Sequence, residues 1–346
     1  MKEIKVYRGR LFTMFDGIPT EILRFIQDSI SMVPVIVIGS GASAAYGIAG
    51  MGELADYIVQ EVNPLEEEKI KWEKFKQLLD EGADLESALH EIDLSDRLEM
   101  EIIKKTKKLI LSKDVVVREK VALNQIEMPL TKLLRYLNST ASPQLKIITT
   151  NYDRLIEYAL DDAGIDYDTG FKGSYIQKFN ERMNRLSNKA EVLKVHGSLD
   201  WYSNSLFEVL SLPDSFQDVE SLAPVMVTPG KRKYEHTHDD PFRSLISRVD
   251  LLFSKANSIL IIGFGFNDRH IQPKLMQKMR DSETPIIIIT KSLTPQARAF
   301  IKTNENSKIL GIEEGSNGSN LVFPNKDDVE ISFSIWELGE FIKIFT

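Results

Sequence analysis

The stretch Val35-Ile36-Val37-Ile38-Gly39-Ser40-Gly41-Ala42-Ser43-Ala44 decides the fold. Four β-branched apolar residues in a row read as a strand buried on both faces, the kind that parallel sheets contain. Gly39, Gly41 and Ala44 then satisfy G-x-G-x-x-G/A directly after that strand and at the start of a helix. In that context the spacing describes a pyrophosphate cradle. Glycine permits the tight turn and a close backbone approach, and the helix start offers free N–H groups. Ser43 adds a hydroxyl. A dehydrogenase would carry an acidic residue about 20 positions on, at the end of a second strand, to hold the ribose. Here that region (Asp56, Glu61) still reads as helix, which disfavours hydride transfer. No G-x-x-x-x-G-K-[ST] follows any strand, so a P-loop is excluded.

Outward from this unit, residues 1–30 read as a leader strand and a helix over Pro19–Ser29. Ala42–Val62 reads as a helix broken near Gly47–Gly52. Residues 64–140 are rich in Glu, Lys and Leu at helical spacing and contain no convincing strand. One stripe there is Trp72, Phe75, Leu78 and Leu79; another is Leu123, Ile126, Leu130, Leu133, Leu134 and Leu137. Stripes of this kind are core packing. Strands resume at Leu145–Ile148 and Glu191–Val195, with 167–190 between them as an irregular loop. Further strands are expected at Pro224–Thr228, Ser258–Ile262 and Pro285–Thr290, and a weak edge strand at Asp328–Trp336. Helices are expected at Asp240–Ala256, from Asp268, and at Thr294–Thr303. Strands alternating with helices indicate a parallel sheet. The expected fold is α/β: a Rossmann-like parallel sheet over 31–63 and 141–310 with an inserted all-helical subdomain over 64–140. Residues 1–30 form a leader, and 311–346 a C-terminal edge segment.

The chain has 346 residues, 42% of them hydrophobic, and a net charge of −8. A basic footprint for autonomous nucleic-acid binding is missing. The runs Lys104–Lys108 and Lys231–Lys233 read as solvated helix face or loop. The longest apolar runs fall far short of the ~18 residues of a membrane span. There are no cysteines, which excludes disulfides, Cys-ligated zinc and a thiol nucleophile. With an N-terminus that lacks the apolar stretch of a signal peptide, the expected location is the cytoplasm.

Two further loops end buried strands, where ligands of open α/β sheets collect. In Thr149-Thr150-Asn151-Tyr152-Asp153, Asn151 suits a ribose hydroxyl or a water, and Asp153 a carboxamide or developing positive charge. The plain alternative is an Asx-type cap for the helix that follows. His196, followed by Gly197-Ser198, suits a general base; the alternative is a core histidine with satisfied nitrogens. Gly263-Phe264-Gly265-Phe266-Asn267-Asp268 is a second glycine turn, in which Asp268 either caps a helix or lines the crevice. His236-Thr237-His238-Asp239-Asp240 lacks a third ligand at any recognised zinc spacing, so no metal is expected.

In this order, the pieces resemble the SIR2 (sirtuin) superfamily. Gly39-Ser40-Gly41-Ala42-Ser43 is similar to its G-A-G-x-S phosphate loop. Thr149–Asp153 resembles its T-Q-N-I-D loop, with Thr150 and Tyr152 as departures. His196-Gly197-Ser198-Leu199 resembles its H-G-S-L segment, and Ala256–Gly265 its later strand and G-T-S turn. The resemblance implies NAD+ as substrate. It implies catalytic roles for Asn151, His196 and Asp153, and dinucleotide contacts from Gly39, Ser40, Gly41, Ala42, Ser43, Thr150, Gly263, Phe264, Gly265 and Asp268. Sirtuin deacylases carry a four-Cys zinc module, and this chain has no Cys. The G-F-G-F-N-D turn instead resembles the SIR2-like proteins of prokaryotic antiphage systems. That implies an NAD glycohydrolase that depletes the cofactor in an infected cell. Such an enzyme is latent until triggered, is a homo-oligomer, and works with a HerA-type ATPase or an Argonaute-like protein. The rival readings are a nucleotide sensor that does not cleave, an assembly subunit with nuclease activity in complex, a deacylase and a dehydrogenase.

Overall fold

The computed structural model describes residues 17–140, 144–180, 190–213, 221–227, 239–266, 268, 271–281, 283–304 and 308–346. The leader strand, the run Lys231–Lys233, the turn at Pro229–Gly230, His236, His238 and Asn267 lie outside the described residues.

At the centre of the main sheet lies β1 (Val35–Ile38). It pairs in parallel with β2 (Lys146–Thr149) on one side and β10 (Ile259–Ile262) on the other, with Val35 opposite both Lys146 and Ile259. Beyond β2 come β6 (Ala190–Lys194) and β3 (Tyr167–Asp168); beyond β10 come β11 (Ile286–Ile289) and β12 (Ile309–Glu314). All seven run parallel. Two antiparallel strands, β13 (Ser319–Val322) and β14 (Val329–Ile331), extend the sheet to nine, and β14 is the edge. Leaving out β3, the parallel strands follow the 3-2-1-4-5-6 order of a doubly wound dinucleotide fold, and its switch point lies between β1 and β10.

β1, β10 and β11 are buried along their whole length because helices cover both faces. Pleating sends Ile36 and Ile38 to one core and Val35 and Val37 to the other. The first core is closed by α1 (Thr20–Ser31), the C-terminal half of α6 (Asp96–Ala122), α7 (Pro129–Ser139), α8 (Leu155–Ala163) and α12 (Leu338–Ile342). The second is closed by α9 (Phe242–Lys255), α10 (Gln272–Asp281) and α11 (Pro295–Lys302).

After β1 the chain forms the short α2 (Ser40–Ala44), breaks over 45–50, and resumes as α3 (Met51–Glu61). Then come α4 (Lys69–Asp80) and α5 (Leu85–Glu91). Together with the start of α6, α3–α5 enclose a separate small core: Leu54 and Ile58, Trp72 and Phe75, Leu85 and Leu89, Leu98 and Ile102. Asp84 caps α5 and Ser95 caps α6, each accepting the backbone N–H of the third residue of its helix.

Several expectations need correction. Residues 167–180 are not an irregular loop: besides β3 they hold β4 (Phe171–Lys172) and β5 (Gln177–Phe179). With β7 (Gly197–Ser203), β8 (Val209–Ser211) and β9 (Ala223–Met226) these make a second, five-stranded antiparallel sheet. The strand expected at 224–228 therefore belongs to that sheet and not to the parallel one. β4, β5 and β8, of two or three residues each, carry too few side chains to show an alternation. Lys107 is not on a solvated face; it is buried with its Nζ 3.5 Å from the centre of the Tyr202 ring. Leu123 lies just past the end of α6 and is exposed. Among the described residues no helix is long and apolar enough to cross a membrane.

Candidate active site

The β1 and β10 turns lock into each other. Gly39 N–H donates to the Ile262 carbonyl and Gly41 N–H to that of Gly263, each at 2.9 Å. A Cβ at Gly39 would stand 2.5 Å from the Gly263 oxygen, and one at Gly263, where φ is +61°, only 2.2 Å from Ala42 N. These glycines are thus demanded by each other.

The end of β2 is tied to this pair. Thr149 Oγ1 donates to the Ile38 carbonyl and accepts the Asn151 N–H. Asn151 Nδ2 donates to the Gly39 carbonyl and to Ser43 Oγ, each at 3.0 Å. Asn151 Oδ1 is buried with no donor upon it among the described residues, an unmet acceptor of the kind that native interiors rarely leave. Ser43 is also hydrogen-bonded to the Asp153 carboxylate. Asp153 Oδ1 accepts the Leu155 N–H at the start of α8, so the capping alternative is part of its role. Burial pushes the Asp153 carboxyl up from its ordinary pKa, against the opposing charge of Lys194.

Two groups that sequence reasoning missed hold this loop from below. Lys194, at the end of β6, is fully buried and donates to the Asp153 carbonyl and to Glu157 Oε1 at 2.9 Å. Burial raises the Glu157 carboxyl pKa, Lys194 notwithstanding. The available signal was a lysine within the apolar run Val192-Leu193-Lys194-Val195. Asp114, on α6 and fully buried, accepts the Arg154 N–H at 2.8 Å, the Arg154 guanidinium at 2.7 Å and the Tyr158 hydroxyl. No local sequence signal marks Asp114.

His196 lies between β6 and β7, and its Nε2 is 2.7 Å from Asp268 Oδ2. Asp268 Oδ1 accepts the Ile271 N–H just before α10, so Asp268 serves its helix and the histidine together. Tyr152 donates its hydroxyl to the Val227 carbonyl at 2.6 Å. Burial, with the charges of Glu86 and Asp268, raises the pKa of that phenol.

Asn151, Asp153, His196 and Asp268 line one cavity of about 200 Å³, together with Ser40, Ser43, Thr150, Phe264 and Gly265. A second cavity of about 600 Å³ lies on the other side of α2. It is lined by Gly41, Ala42, Ser43 and Gly263, by Thr290 and Lys291 after β11, and by Tyr46 and Trp336. Ser43 borders both. Gly39 lies beneath them, its contribution being backbone. No cluster of three or more His, Asp or Glu among the described residues is arranged to hold a metal ion.

Residues 145–309 match the SIR2-like domain family. The match runs from the start of β2 to the start of β12 and leaves out the first glycine turn. No curated protein matches the sequence. Among solved structures, one bearing on sirtuin substrate affinity aligns with 84% of this chain and 92% of its own, at 15% identity and TM-score 0.45. Sir2Tm bound to a propionylated peptide covers 84% of this chain and 90% of its own, at 14% identity and TM-score 0.44. Sir2 with a p53 peptide and NAD+ covers the same shares at 15% identity and TM-score 0.42.

Proposed function

We propose that this SIR2-like domain is an NAD+ glycohydrolase, releasing nicotinamide and ADP-ribose. The observation that carries this reading is the orphan Asn151 Oδ1, in a cavity shared with His196, Asp153 and Asp268 and bordering the Gly39–Ser43 turn. A ribose hydroxyl is the donor this acceptor lacks. The pyrophosphate lies against the glycine turn, beside the Ser43 hydroxyl that borders both cavities. The smaller cavity takes the nicotinamide riboside, and the larger one takes the adenosine beside Tyr46 and Trp336. Cleavage of the glycosidic bond builds an oxocarbenium-like centre. Asp153 faces the carboxamide or that positive charge, and His196, oriented by Asp268, engages a ribose hydroxyl.

The turn Gly263–Asp268 supports a finer reading, a cofactor-depleting effector of antiphage defence. In it, activity is held latent until an ATPase or Argonaute-like partner acts. Chromatography of NAD+ incubated with the purified chain, alone and with such a partner, tests both readings. Equal amounts of nicotinamide and ADP-ribose, lost in Asn151→Ala, are the expected result. Intact NAD+ under every condition overturns it.

A further inference from the structure

Three residues in the wall of the smaller cavity, Tyr152, His196 and Val227, come from three different strand ends. Tyr152 follows β2, His196 stands between β6 and β7, and Val227 follows β9. Val227 joins the other two with both of its backbone polar groups. Its N–H donates to the His196 carbonyl at 2.9 Å, and its carbonyl accepts the Tyr152 hydroxyl at 2.6 Å. The Tyr152 carbonyl in turn accepts the Leu199 N–H on β7 at 3.1 Å. Gly197 lets the strands come this close: its φ is +89°, and a Cβ there would stand 2.2 Å from the Val225 oxygen. The hydrogen bonds form a closed circuit, from Tyr152 to Val227 to His196 and back through Leu199. His196 needs such support, because it lies where the chain leaves the parallel sheet for the antiparallel one and belongs to neither ladder. Asp268 holds its imidazole, and the circuit holds its main chain. Within that circuit the Tyr152 hydroxyl is the one side-chain group; the other members are backbone.

Resting on the NAD+-cleaving reading, we propose that Tyr152 is a positioning residue for His196: its hydroxyl, through Val227, fixes where the imidazole meets the ribose. The hydroxyl proton is committed to the Val227 carbonyl, so Tyr152 gives none to the substrate. Its effect falls on the step in which His196 takes part. Binding of the dinucleotide is left to the Gly39–Ser43 turn and the larger cavity, which lie outside the circuit.

Tyr152→Phe tests this, because it removes the hydroxyl and keeps the aromatic ring in the cavity wall. In the full chain, kcat for nicotinamide release should fall by about tenfold or more, as small misplacements of a catalytic group do, while KM and the affinity for ADP-ribose stay within about twofold of wild type. In a His196→Ala background the same change should have no further effect, since no imidazole is left to position. A spectroscopic readout stands beside the rates. With the histidine rings labelled with carbon-13, the His196 resonance, identified by its loss in His196→Ala, should shift or split in Tyr152→Phe. Full turnover in Tyr152→Phe, a loss confined to KM, an additive loss in the double variant, or an unchanged His196 resonance overturns the assignment and leaves the glycohydrolase reading intact. A wild-type chain that releases no nicotinamide, with or without a partner, removes the underlying reading and this role with it. Rates are compared well below the unfolding midpoint of each variant, so that folding does not enter.

Discussion

Asn151 Nδ2 reaches across 108 residues of sequence to donate to Ser43 Oγ at 3.0 Å, and the same nitrogen donates to the Gly39 carbonyl. With both protons spent on protein acceptors, the orientation of the amide is fixed and only Oδ1 is left for a ligand. Asn151→Ala should therefore lose nicotinamide release by about 100-fold or more, while its stability falls by only about 1–3 kcal/mol, the cost of unmet buried partners. Ser43→Ala should show a smaller loss of activity, since Nδ2 keeps the Gly39 carbonyl. Initial rates and urea midpoints of the two variants check this.

Gly263→Ala combines a left-handed backbone with a methyl 2.2 Å from Ala42 N. The backbone alone costs about 1–2 kcal/mol, and the collision must also displace the first glycine turn. Gly47→Ala is the control: φ is +79° there, but nothing lies within 4 Å of the added methyl. Both variants should be destabilised, and only Gly263→Ala should lose affinity for ADP-ribose. Calorimetric titration with ADP-ribose distinguishes them.

The buried pair Lys194–Glu157 should behave as charges out of water do. Removing one partner, as in Lys194→Met, leaves an uncompensated charge and should cost about 3–5 kcal/mol. The double variant Lys194→Met/Glu157→Leu should recover most of that, because well-packed apolar replacements of a buried pair are often neutral. A urea-unfolding double-mutant cycle measures the coupling.

Glu68 supplies a pH dependence of known sign. Hydrogen bonds from Arg97 and Ser95 hold its carboxyl down at about 2, against an ordinary value of 4.5. A lowered pKa means that the unfolded chain binds the proton first. Its contribution is therefore fully present above 4.5 and is lost as pH falls through about 2. Asp153 works in the opposite sense: burial raises its pKa, so its contribution declines as pH rises above the ordinary 3.8. Urea midpoints of wild type and Glu68→Gln should differ most near neutral pH and converge toward pH 2.

What the sequence made legible was what is local. Val35–Ala44, Thr149–Asp153 and Ile259–Gly265 each join an apolar strand to its turn within ten residues, and the structure brings those turns together. Lys194 and Asp114 were not legible, because each acquires its meaning from partners tens of residues away. The two allegiances of α6 were equally hidden. Leu98 and Ile102 enter the small helical core, whereas Ile110, Leu111 and Val117 enter that of the sheet. A single amphipathic pattern does not say which partner each turn of a helix meets.

The interlocked turns also set a timetable. Gly39 and Gly41 donate their N–H groups to the carbonyls of Ile262 and Gly263, residues that leave the ribosome long after them. At about 5–20 residues per second, β1 waits on the order of ten seconds or more for its neighbour β10. Throughout that interval the four-residue Val/Ile strand has an unpaired edge, and the first glycine turn lacks the backbone it locks into. A nascent chain that stalls before Gly263 has no closed pair of turns, so the cavities that border them are complete only once synthesis has passed that residue.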